Sequence, residues 1–239
     1  RTRGRLLAGR GLLAGGRLSN EALFNLRQVT EALGGQSRLY THMSGGDIAV
    51  QAGLTAGSNL GALGKGDAIL VVASDLHAEA PLWWLRIKLA AERGARVIVL
   101  NPRYTRLERS AAWSLRYPFG SAAAAVMALT GVISAKRPEL PETVHELARS
   151  AELGQAAEAF RDAQDAVVLY GSEGMGLAES AALAQACANL LLATGHVGRA
   201  NNGLLGVWPR ANDQGAWEMG LRPRQDLLPA LQAASALYI

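Results

Sequence analysis

The chain has 239 residues, of which 49% are hydrophobic and 18% are charged. This composition is typical of a globular protein and excludes a disordered chain, a collagen and a small disulfide scaffold. The single cysteine also excludes a cysteine-ligated iron–sulfur cluster or a Cys₄ zinc site held within this chain. The length is enough for one large domain or two small ones.

The net charge of +4 is concentrated at the start of the chain. All five charged residues among the first twenty are arginines, and subtracting them from 24 leaves 19 basic against 20 acidic side chains in residues 21–239. Such a start is typical of a transit peptide or a basic arm, but it begins with Arg and has no small-residue cleavage pattern, so we favour neither. We expect no nucleic-acid partner. No apolar run approaches the roughly 18 residues that span a bilayer, so we expect no direct membrane insertion.

The first half of the chain predicts one helix followed by a β-α-β unit. The helix covers residues 21–33, begins after Ser19-Asn20 and has an apolar face of Leu23, Leu26, Val29 and Leu33. Residues 44–66 are rich in Gly, Ser and Thr and predict loops with short helical turns. The apolar run at 67–74 predicts a strand covered on both faces, followed by a helix at 81–93 and a strand at 95–100.

The second half continues the alternation of helices and strands. We predict helices at 121–132, 142–162 and 177–194, and a buried strand at 166–170. Prolines at 138 and 141 indicate a boundary, and the residues after Gly195 predict loops. The end of the chain resembles the opening of another buried strand, so we expect a piece of a longer protein. The alternation predicts an α/β protein with a parallel sheet.

Polar residues follow two of the predicted strands, where open α/β sheets bind ligands. After the first strand, Asp75, His77 and Glu79 alternate as in a metal site, but nothing else supplies ligands, so we predict that they cap the next helix. After the second strand, Arg103 is suited to clamp a phosphate or carboxylate, although a hydrogen bond to its own loop explains it nearly as well.

The segment Gly171–Gly176 lies between a predicted strand and a predicted helix. Its G-x-x-G-x-G spacing differs from the dinucleotide fingerprint, so a phosphate contact and a tight turn without ligand are about equally consistent with it. No G-x-S-x-G elbow indicates a catalytic serine. Cys187 lies in an Ala/Leu-rich helix and is predicted to be a buried apolar residue.

Five further side chains have simple interpretations. Of the adjacent Trp83 and Trp84, we expect one to pack on the sheet and the other to meet a partner. We expect His145 to face solvent, whereas His42 and His196 lie in loops and are either satisfied there or facing a ligand.

Two segments near the end of the chain resemble a known family. Residues 195–203 (Gly-His-Val-Gly-Arg-Ala-Asn-Asn-Gly) and residues 208–220, with Asn212-Asp-Gln214-Gly215 and Met219-Gly220, are similar to a turn and a loop of the molybdopterin oxidoreductase family. These are its "T-G-x-x-G-x-x-x-x-G" turn and its "N-x-Q-G-x-x-x-M-G" loop. The segments at 19–21, 67–81 and 101–105 also occur in the family's order, so the resemblance covers nearly the whole chain.

Within that family, residues 79–86 and 203–207 most resemble the C-terminal region of the large iron–sulfur subunit of NADH:quinone oxidoreductase, respiratory complex I. That region has generally lost the cofactor. This chain departs from the pattern of active members at three places. Their Gly-Ser-Asn-Pro is Ala-Ser-Asp-Leu at 73–76, and their Asp-Pro-Arg is Asn-Pro-Arg at 101–103. Their Pro-Gly-Thr-Asp is Pro-Phe-Gly-Ser at 118–121. Active members contact guanosine there, and each lost buried hydrogen bond costs about 1–3 kcal/mol of binding.

The resemblance implies two Rossmann-like lobes with mostly parallel sheets flanked by helices, as in domains II and III of formate dehydrogenase. Residues 1–36 would join 150–239 in a discontinuous lobe, and 37–149 would form an inserted lobe. The resemblance implies no catalytic or metal-ligating residue in this chain. If a pterin dinucleotide is retained, the implied cofactor-binding residues are Ser74, Asp75, Asn101, Arg103, Thr105, Arg210, Asn212, Gln214 and Gly215.

Three functions follow as hypotheses. The leading one is a cofactor-less scaffold region of the large iron–sulfur subunit of NADH:quinone oxidoreductase, with clusters upstream of this chain. Its partners would be other subunits of the respiratory complex, in the cytoplasm at the inner face of the cell membrane. The alternative is an active molybdenum or tungsten enzyme with molybdopterin guanine dinucleotide, such as a formate dehydrogenase catalytic subunit. A weaker third hypothesis is a free-standing nucleotide-binding module that uses Gly171–Gly176.

Overall fold

The computed structural model describes residues 10–134, 138–232 and 236–238. In these ranges the strands are β1 Arg10–Ala14, β2 Gln36–Leu39, β3 Ala68–Val72, β4 Arg96–Asn101, β5 Trp113–Arg116, β6 Ala166–Tyr170, β7 Gly203–Gly206 and β8 Ala236–Tyr238. The α-helices are α1 Asn20–Ala32, α2 Gly46–Gln51, α3 Leu76–Glu79, α4 Pro81–Glu92, α5 Ala122–Ser134, α6 His145–Arg149, α7 Ala151–Arg161, α8 Leu177–Thr194, α9 Asp213–Glu218 and α10 Leu227–Gln232. Short 3₁₀ helices cover Arg106–Ser110 and Glu142–Val144.

Five parallel strands form the larger sheet, in the order β5-β4-β3-β6-β7. Every residue of β3 and β6 is buried, because both faces of the sheet are covered. On one face the sheet packs with α5, α7 and α8, and on the other with α3, α4, the 3₁₀ helix Arg106–Ser110 and the loop around Leu63. The result is a helix–sheet–helix sandwich, which confirms the predicted α/β class with parallel strands.

Three parallel strands form the smaller sheet, in the order β2-β1-β8. Leu12, Leu23, Leu39 and Trp217 are members of the apolar cluster that joins this sheet to α1 and α9. The loop after β2 then crosses to the larger sheet, where the backbone N–H of Ser44 donates to Ser180 Oγ at 2.9 Å. The two sheets are therefore tied together by the loop that leaves the carboxyl end of β2.

The strands group differently from the expected lobes. β6 and β7, expected in one lobe with residues 1–36, pair in the larger sheet with β3 from the expected insert. A centrally placed β3 needs a partner on each edge for its backbone N–H and C=O groups, and β6 satisfies the second edge. The smaller sheet joins distant parts of the chain, since β1 pairs with both β2 and β8.

Most of the strongly patterned elements lie where the sequence predicts them. α1 begins at Asn20, with Ser19 Oγ accepting from Ala22 N–H at 3.3 Å, and β6 and α8 match their predicted ranges. The predicted apolar face of α1 is only partly correct. Leu23 is buried, whereas Val29 and Leu33 are exposed, because a sheet of three short strands covers only part of this helix.

Three local predictions are wrong. The helix expected at 142–162 is broken at Ser150, whose extended backbone separates α6 from α7. The region after Gly195, expected to be loops, contains β7 and α9. By length and composition α8 is apolar enough to cross a membrane, contrary to the expectation that no run is, and it packs in the core of the sandwich.

Candidate functional site

Ser74 and Asn101 lie at the carboxyl ends of β3 and β4, and both are buried. Ser74 N–H donates to Asn101 Oδ1 at 3.0 Å, and Asn101 Nδ2 donates to the Ser74 carbonyl at 2.8 Å. This reciprocal pair joins the two strand ends. The Asn101 amide is therefore engaged in holding the fold together at this position.

Arg103 is enclosed by carboxylates. Its guanidinium donates to Glu173, from the loop after β6, and to Asp75 Oδ2 at 3.3 Å. Nearby, Glu79 accepts a hydrogen bond from Ser74 Oγ at 2.5 Å. Partial burial has the larger effect on the pKa of Glu79 and raises it, whereas that hydrogen bond lowers it. Two carboxylates thus pair with Arg103 and a third lies nearby, and the negative charge of these groups disfavours a phosphate at this edge of the sheet.

Thr105 also has a structural role. It precedes the 3₁₀ helix Arg106–Ser110, it is buried, and its N–H donates to Glu108 Oε1 at 2.7 Å. Of the five residues predicted at this edge, only Asp75 and Arg103 are at the surface, where they pair with each other.

Asp75, His77 and Glu79 do not converge on one point. His77 Nε2 lies 2.9 Å from Arg106 Nη1, and the His77 ring packs edge-on against Trp84 with 5.0 Å between centroids. The expected helix cap is wrong, because the Asp75 carboxylate pairs with Arg103 and makes no bond to the N-terminus of α3. Among the described residues, no cluster of three or more His, Cys, Asp and Glu is placed to bind a metal.

The loop Gly171–Gly176 is packed tightly against its neighbours. A Cβ at Gly171 would overlap the Ala73 carbonyl oxygen, and a Cβ at Gly174 would lie 2.7 Å from the Phe119 ring. The N–H groups of Glu173 and Met175 donate within the fold, to Ala73 O and Ser172 O at 3.0 Å. These contacts account for the glycines by packing and favour the tight turn over a phosphate loop.

Several side chains singled out in the sequence belong to the core. Cys187 is buried, as expected, and burial raises the pKa of its thiol. His196 is buried between Ala163 O and Thr194 Oγ1, at 3.1 and 2.7 Å, and burial lowers its pKa. His145 is half-buried with Nε2 3.0 Å from Leu140 O, so it does not simply face solvent.

The adjacent tryptophans do not divide as expected. Both Trp83 and Trp84 pack against the apolar cluster between α4 and the larger sheet. Both side chains are half-buried, and the Trp84 ring also packs edge-on with the His77 ring, with 5.0 Å between centroids.

A second group of predicted residues lies beside a cleft, which we call the arginine cleft. It has a volume of about 340 Å³ and is formed at the carboxyl ends of β1 and β2, with Gly15, Arg17, Tyr40 and Arg210 along its polar side. An adjoining cavity of about 160 Å³ shares Tyr40 and Arg210 and adds Thr41, His42 and Pro209. Among the described residues, neither Arg17 nor Arg210 forms a salt bridge. The cleft therefore offers unpaired positive charge, which suits an anion.

Asn212, Gln214 and Gly215 pack behind Arg210 and away from the cleft. Asn212 Nδ2 donates to Leu18 O and Asn20 Oδ1, at 2.8 and 2.9 Å, and Gln214 Nε2 donates to Glu218 Oε1 at 3.0 Å. A Cβ at Gly215 would overlap Asn212 Oδ1. These residues hold α9 against the start of α1, so of this predicted group only Arg210 lines the cleft.

Sequence reasoning missed Thr41 and Asp213, which join two of the loops beside the cleft. Thr41 Oγ1 donates to Asp213 Oδ2 at 3.2 Å, and the backbone N–H of Arg210 donates to the same oxygen at 3.2 Å. Burial raises the pKa of Asp213, partly offset by the hydrogen bond from Thr41. The one available signal was an acid inside the N-x-Q-G loop, next to residues that the resemblance had already singled out.

The family model of molybdopterin oxidoreductases matches residues 8–239. The chain belongs to the molybdopterin oxidoreductase family. The match covers both sheets and every loop of the arginine cleft, so the expected family is confirmed.

Curated relatives with low sequence identity to this chain are formate dehydrogenase subunits. The chain is 26% identical over 194 residues to F420-dependent formate dehydrogenase 1 subunit alpha of Methanococcus maripaludis, covering 71% of this chain and 28% of that protein. It is 24% identical over 196 residues to the alpha subunit of the F420-dependent formate dehydrogenase of Methanocaldococcus jannaschii, covering 72% and 29%. The chain thus spans under a third of the relatives' length. These relatives support the expected formate dehydrogenase alternative better than the narrower resemblance to the large iron–sulfur subunit of complex I.

Solved structures share the fold. Acetylene hydratase from Pelobacter acetylenicus superposes with a TM-score of 0.56 at 17% identity, covering 86% of this chain and 30% of that one. A chain of the formyltransferase/hydrolase complex FhcABCD from Methylorubrum extorquens, in complex with methylofuran, has a TM-score of 0.55 at 16% identity and covers 99% and 65%.

The family's pterin dinucleotide is an anion, and the two edges differ in how well they fit it. At the larger sheet, an anionic ligand would have to displace two carboxylates from Arg103. In the arginine cleft, Arg17 and Arg210 carry no such partners among the described residues, and Gly15 lines the cleft beside them. The residues present therefore fit an anion in the arginine cleft and do not fit one at the edge of the larger sheet.

Proposed function

We propose that this chain is part of a formate dehydrogenase-like molybdopterin oxidoreductase and that the arginine cleft holds an anionic part of its cofactor. The observation that carries the proposal is the pair of arginines without acidic partners, Arg17 and Arg210, at the carboxyl ends of parallel strands in the described part of the chain. When bound, a molybdenum or tungsten pterin supplies two-electron redox chemistry at the metal. The residues of this chain bind and orient the ligand.

The residues that line the cleft contribute charged, polar and apolar contacts. Arg17 and Arg210 supply fixed positive charge for phosphate or carboxylate oxygens, and Arg210 is suited to bidentate contact. Tyr40 adds a polar group where the two cavities meet, and His42 adds one in the adjoining cavity. The apolar wall of Leu12, Leu13 and Leu26 limits water on the other side and strengthens these charge interactions.

Partner subunits are part of the proposal. The named relatives are alpha subunits, and the methylofuran-bound structure is a complex. We therefore expect the full-length protein to work with other subunits.

A second candidate is the cofactor-less scaffold of NADH:quinone oxidoreductase. One observation favours it: Arg103 is already satisfied by Asp75 and Glu173 at the edge where a dinucleotide was expected. A scaffold binds no ligand at this edge, so its arginine can be paired within the protein, whereas a binding site needs an arginine that is available to the ligand.

Metal and pterin analysis of the purified full-length protein separates the two candidates. We expect molybdenum or tungsten near one atom per chain, a pterin released by oxidation, and reduction of an artificial acceptor that depends on formate. Iron without molybdenum, tungsten or pterin would support the scaffold and reject the enzyme.

The variant Arg210→Ala tests the cleft directly. We expect at least a tenfold loss of bound pterin, because removing a charged hydrogen-bond donor costs roughly 1.5–3 kcal/mol. The matched control is Arg86→Ala, which removes an exposed arginine of α4 that lies outside the cleft. Equal pterin content in Arg210→Ala and the wild type would show that the cofactor is held elsewhere.

A further inference from the structure

Asp213 is a fully buried carboxylate with few partners. Its Oδ2 accepts the hydrogen bonds from Thr41 and from the backbone of Arg210, whereas its Oδ1 is buried with no hydrogen bond. Within the described part of the chain, no arginine, lysine or histidine forms a salt bridge with it. Burial has the larger effect on the pKa of Asp213 and raises it, whereas the charge of Arg210 lowers it. Burying a carboxylate without a salt bridge opposes folding, so a contribution to stability does not explain why an acid occupies this position.

The contacts of Asp213 reach all three loops that form the arginine cleft. Thr41 lies in the loop after β2, and Arg210 lies in the loop after β7. From the loop after β1, Gly16 packs so closely that a Cβ there would overlap Asp213 Oδ1. The carbonyl of Gly16 also accepts from Asn212 N–H at 2.8 Å. One carboxylate therefore touches loops that come from two different sheets.

We infer that Asp213 is the positioning residue of the arginine cleft: it fixes the Arg210 backbone and the Thr41 loop relative to the loop at Gly16. This inference rests on the proposed function for the ligand, but its structural part concerns only the three loops. Asp213 lies behind the cleft wall and is not among the residues that line the cleft, so it acts through Arg210 and Thr41.

The inference makes an unusual prediction about anion binding. If Asp213 acted only through its charge, Asp213→Asn would raise the positive potential near Arg210 and tighten the binding of an anion. A positioning residue predicts the opposite, because freeing the Arg210 loop raises the cost of ordering it around the ligand.

The experiment uses the full-length protein prepared free of pterin, so that the arginine cleft is open to a probe, in wild-type and Asp213→Asn forms. Hydrogen–deuterium exchange is followed in peptides covering 15–18, 40–43 and 209–212, and the Kd of inorganic pyrophosphate is then measured by calorimetry. In Asp213→Asn we expect hydrogen–deuterium exchange at least tenfold faster in 40–43 and 209–212, and a Kd for pyrophosphate about tenfold higher than in the wild type. The control Asp165→Asn removes an acid that accepts from Asn202 Nδ2 at 2.6 Å at the opposite end of the sheet, and it should change neither readout.

Two further variants keep the test valid if Asp213→Asn does not fold. Thr41→Val removes the hydrogen bond to Asp213 and also the one that Thr41 Oγ1 accepts from Met43 N–H at 3.3 Å. Apart from the Met43 amide, it should speed exchange in 40–43 while leaving 209–212 unchanged. Gly16→Ala pushes against Asp213 Oδ1 and should speed exchange in 209–212. Its control is Gly154→Ala in α7, outside the cleft, where the added methyl meets no atom within 4 Å.

The outcomes separate this inference from the proposed function. Unchanged exchange in these loops, or pyrophosphate binding that is equal or tighter in Asp213→Asn, overturns the positioning role. If the loops loosen in Asp213→Asn but the wild type does not bind pyrophosphate, the positioning role holds and the proposed anion site is rejected.

Discussion

Ala73 has a backbone conformation that alanine rarely adopts. Its φ is +52°, in the left-handed region, directly after β3. Its carbonyl accepts from Glu173 N–H at 3.0 Å, so the turn that places the acid beside Arg103 depends on this conformation. In the Gly-Ser-Asn-Pro pattern that the family resemblance gives for this strand end, the corresponding residue is a glycine, for which such a φ costs little.

We therefore expect Ala73→Gly to leave stability within about 0.5 kcal/mol of the wild type, because relief of roughly 1 kcal/mol of strain offsets the lost methyl group. The matched control is Ala68→Gly, a fully buried alanine within β3 that is not among the positive-φ residues. There we expect a loss of about 1–2 kcal/mol, from the methyl group and from the entropy of glycine. Urea denaturation measures both variants, and equal losses would contradict the strain argument.

Arg103 and Arg210 show how much of a site is decided by neighbours. In the sequence Arg103 follows a predicted strand and Arg210 lies in a predicted loop, and the family resemblance implied the same role for both. In the structure Arg103 is paired with two carboxylates, one of which comes from a loop 70 residues away, whereas Arg210 faces a cleft. The sequence shows that each position is an arginine, but long-range contacts decide which charged side chains lie beside it.

At the scale of elements, continuous apolar runs were predicted well and short edge elements were not. β3, β4, β6 and α8 have enough buried positions to show a pattern, while the four-residue strands β5 and β7 do not. β7 forms because its backbone pairs with β6, a partner more than thirty residues away in sequence. Neither its composition nor its period indicates a strand.

The break between α6 and α7 is set by Ser150. Its Oγ accepts from Leu153 N–H at 3.2 Å, which caps α7. We expect Ser150→Ala to lower the free energy of unfolding by about 1 kcal/mol, as for other serine N-caps. Ser134→Ala is the control, because the exposed Ser134 hydroxyl donates only to Thr130 O within α5, and we expect a loss below about 0.5 kcal/mol there. Chemical denaturation would contradict the capping role if both variants lost the same stability.

At the scale of the whole molecule, the two sheets differ in how much core supports them. Among the residues that the structure describes, the larger sheet lies between two helical layers, whereas the smaller sheet packs on one small apolar cluster and on a helix with exposed Val29 and Leu33. They meet where Gly45 (φ +95°) packs against Tyr170 and Ala184, a contact that leaves no room for a side chain.

We expect native-state hydrogen exchange to follow this difference. Amides of β3 and β6 should exchange only through global unfolding, and amides of β1 and β2 at least tenfold faster through local opening. Mass spectrometry of protease fragments measures both groups in one sample. Equal protection of the two sheets would show that they unfold as one unit.

By itself the sequence determined the α/β class, the central strands and the family, because buried parallel strands are apolar along their whole length and the loop motifs are local in sequence. It did not determine which strands share a sheet, since β3 could be completed on its free edge by any buried strand. It also did not reveal Asp213 or distinguish Arg210 from Arg103. Those features depend on which loops meet at the carboxyl ends of two sheets, and only the tertiary structure decides that.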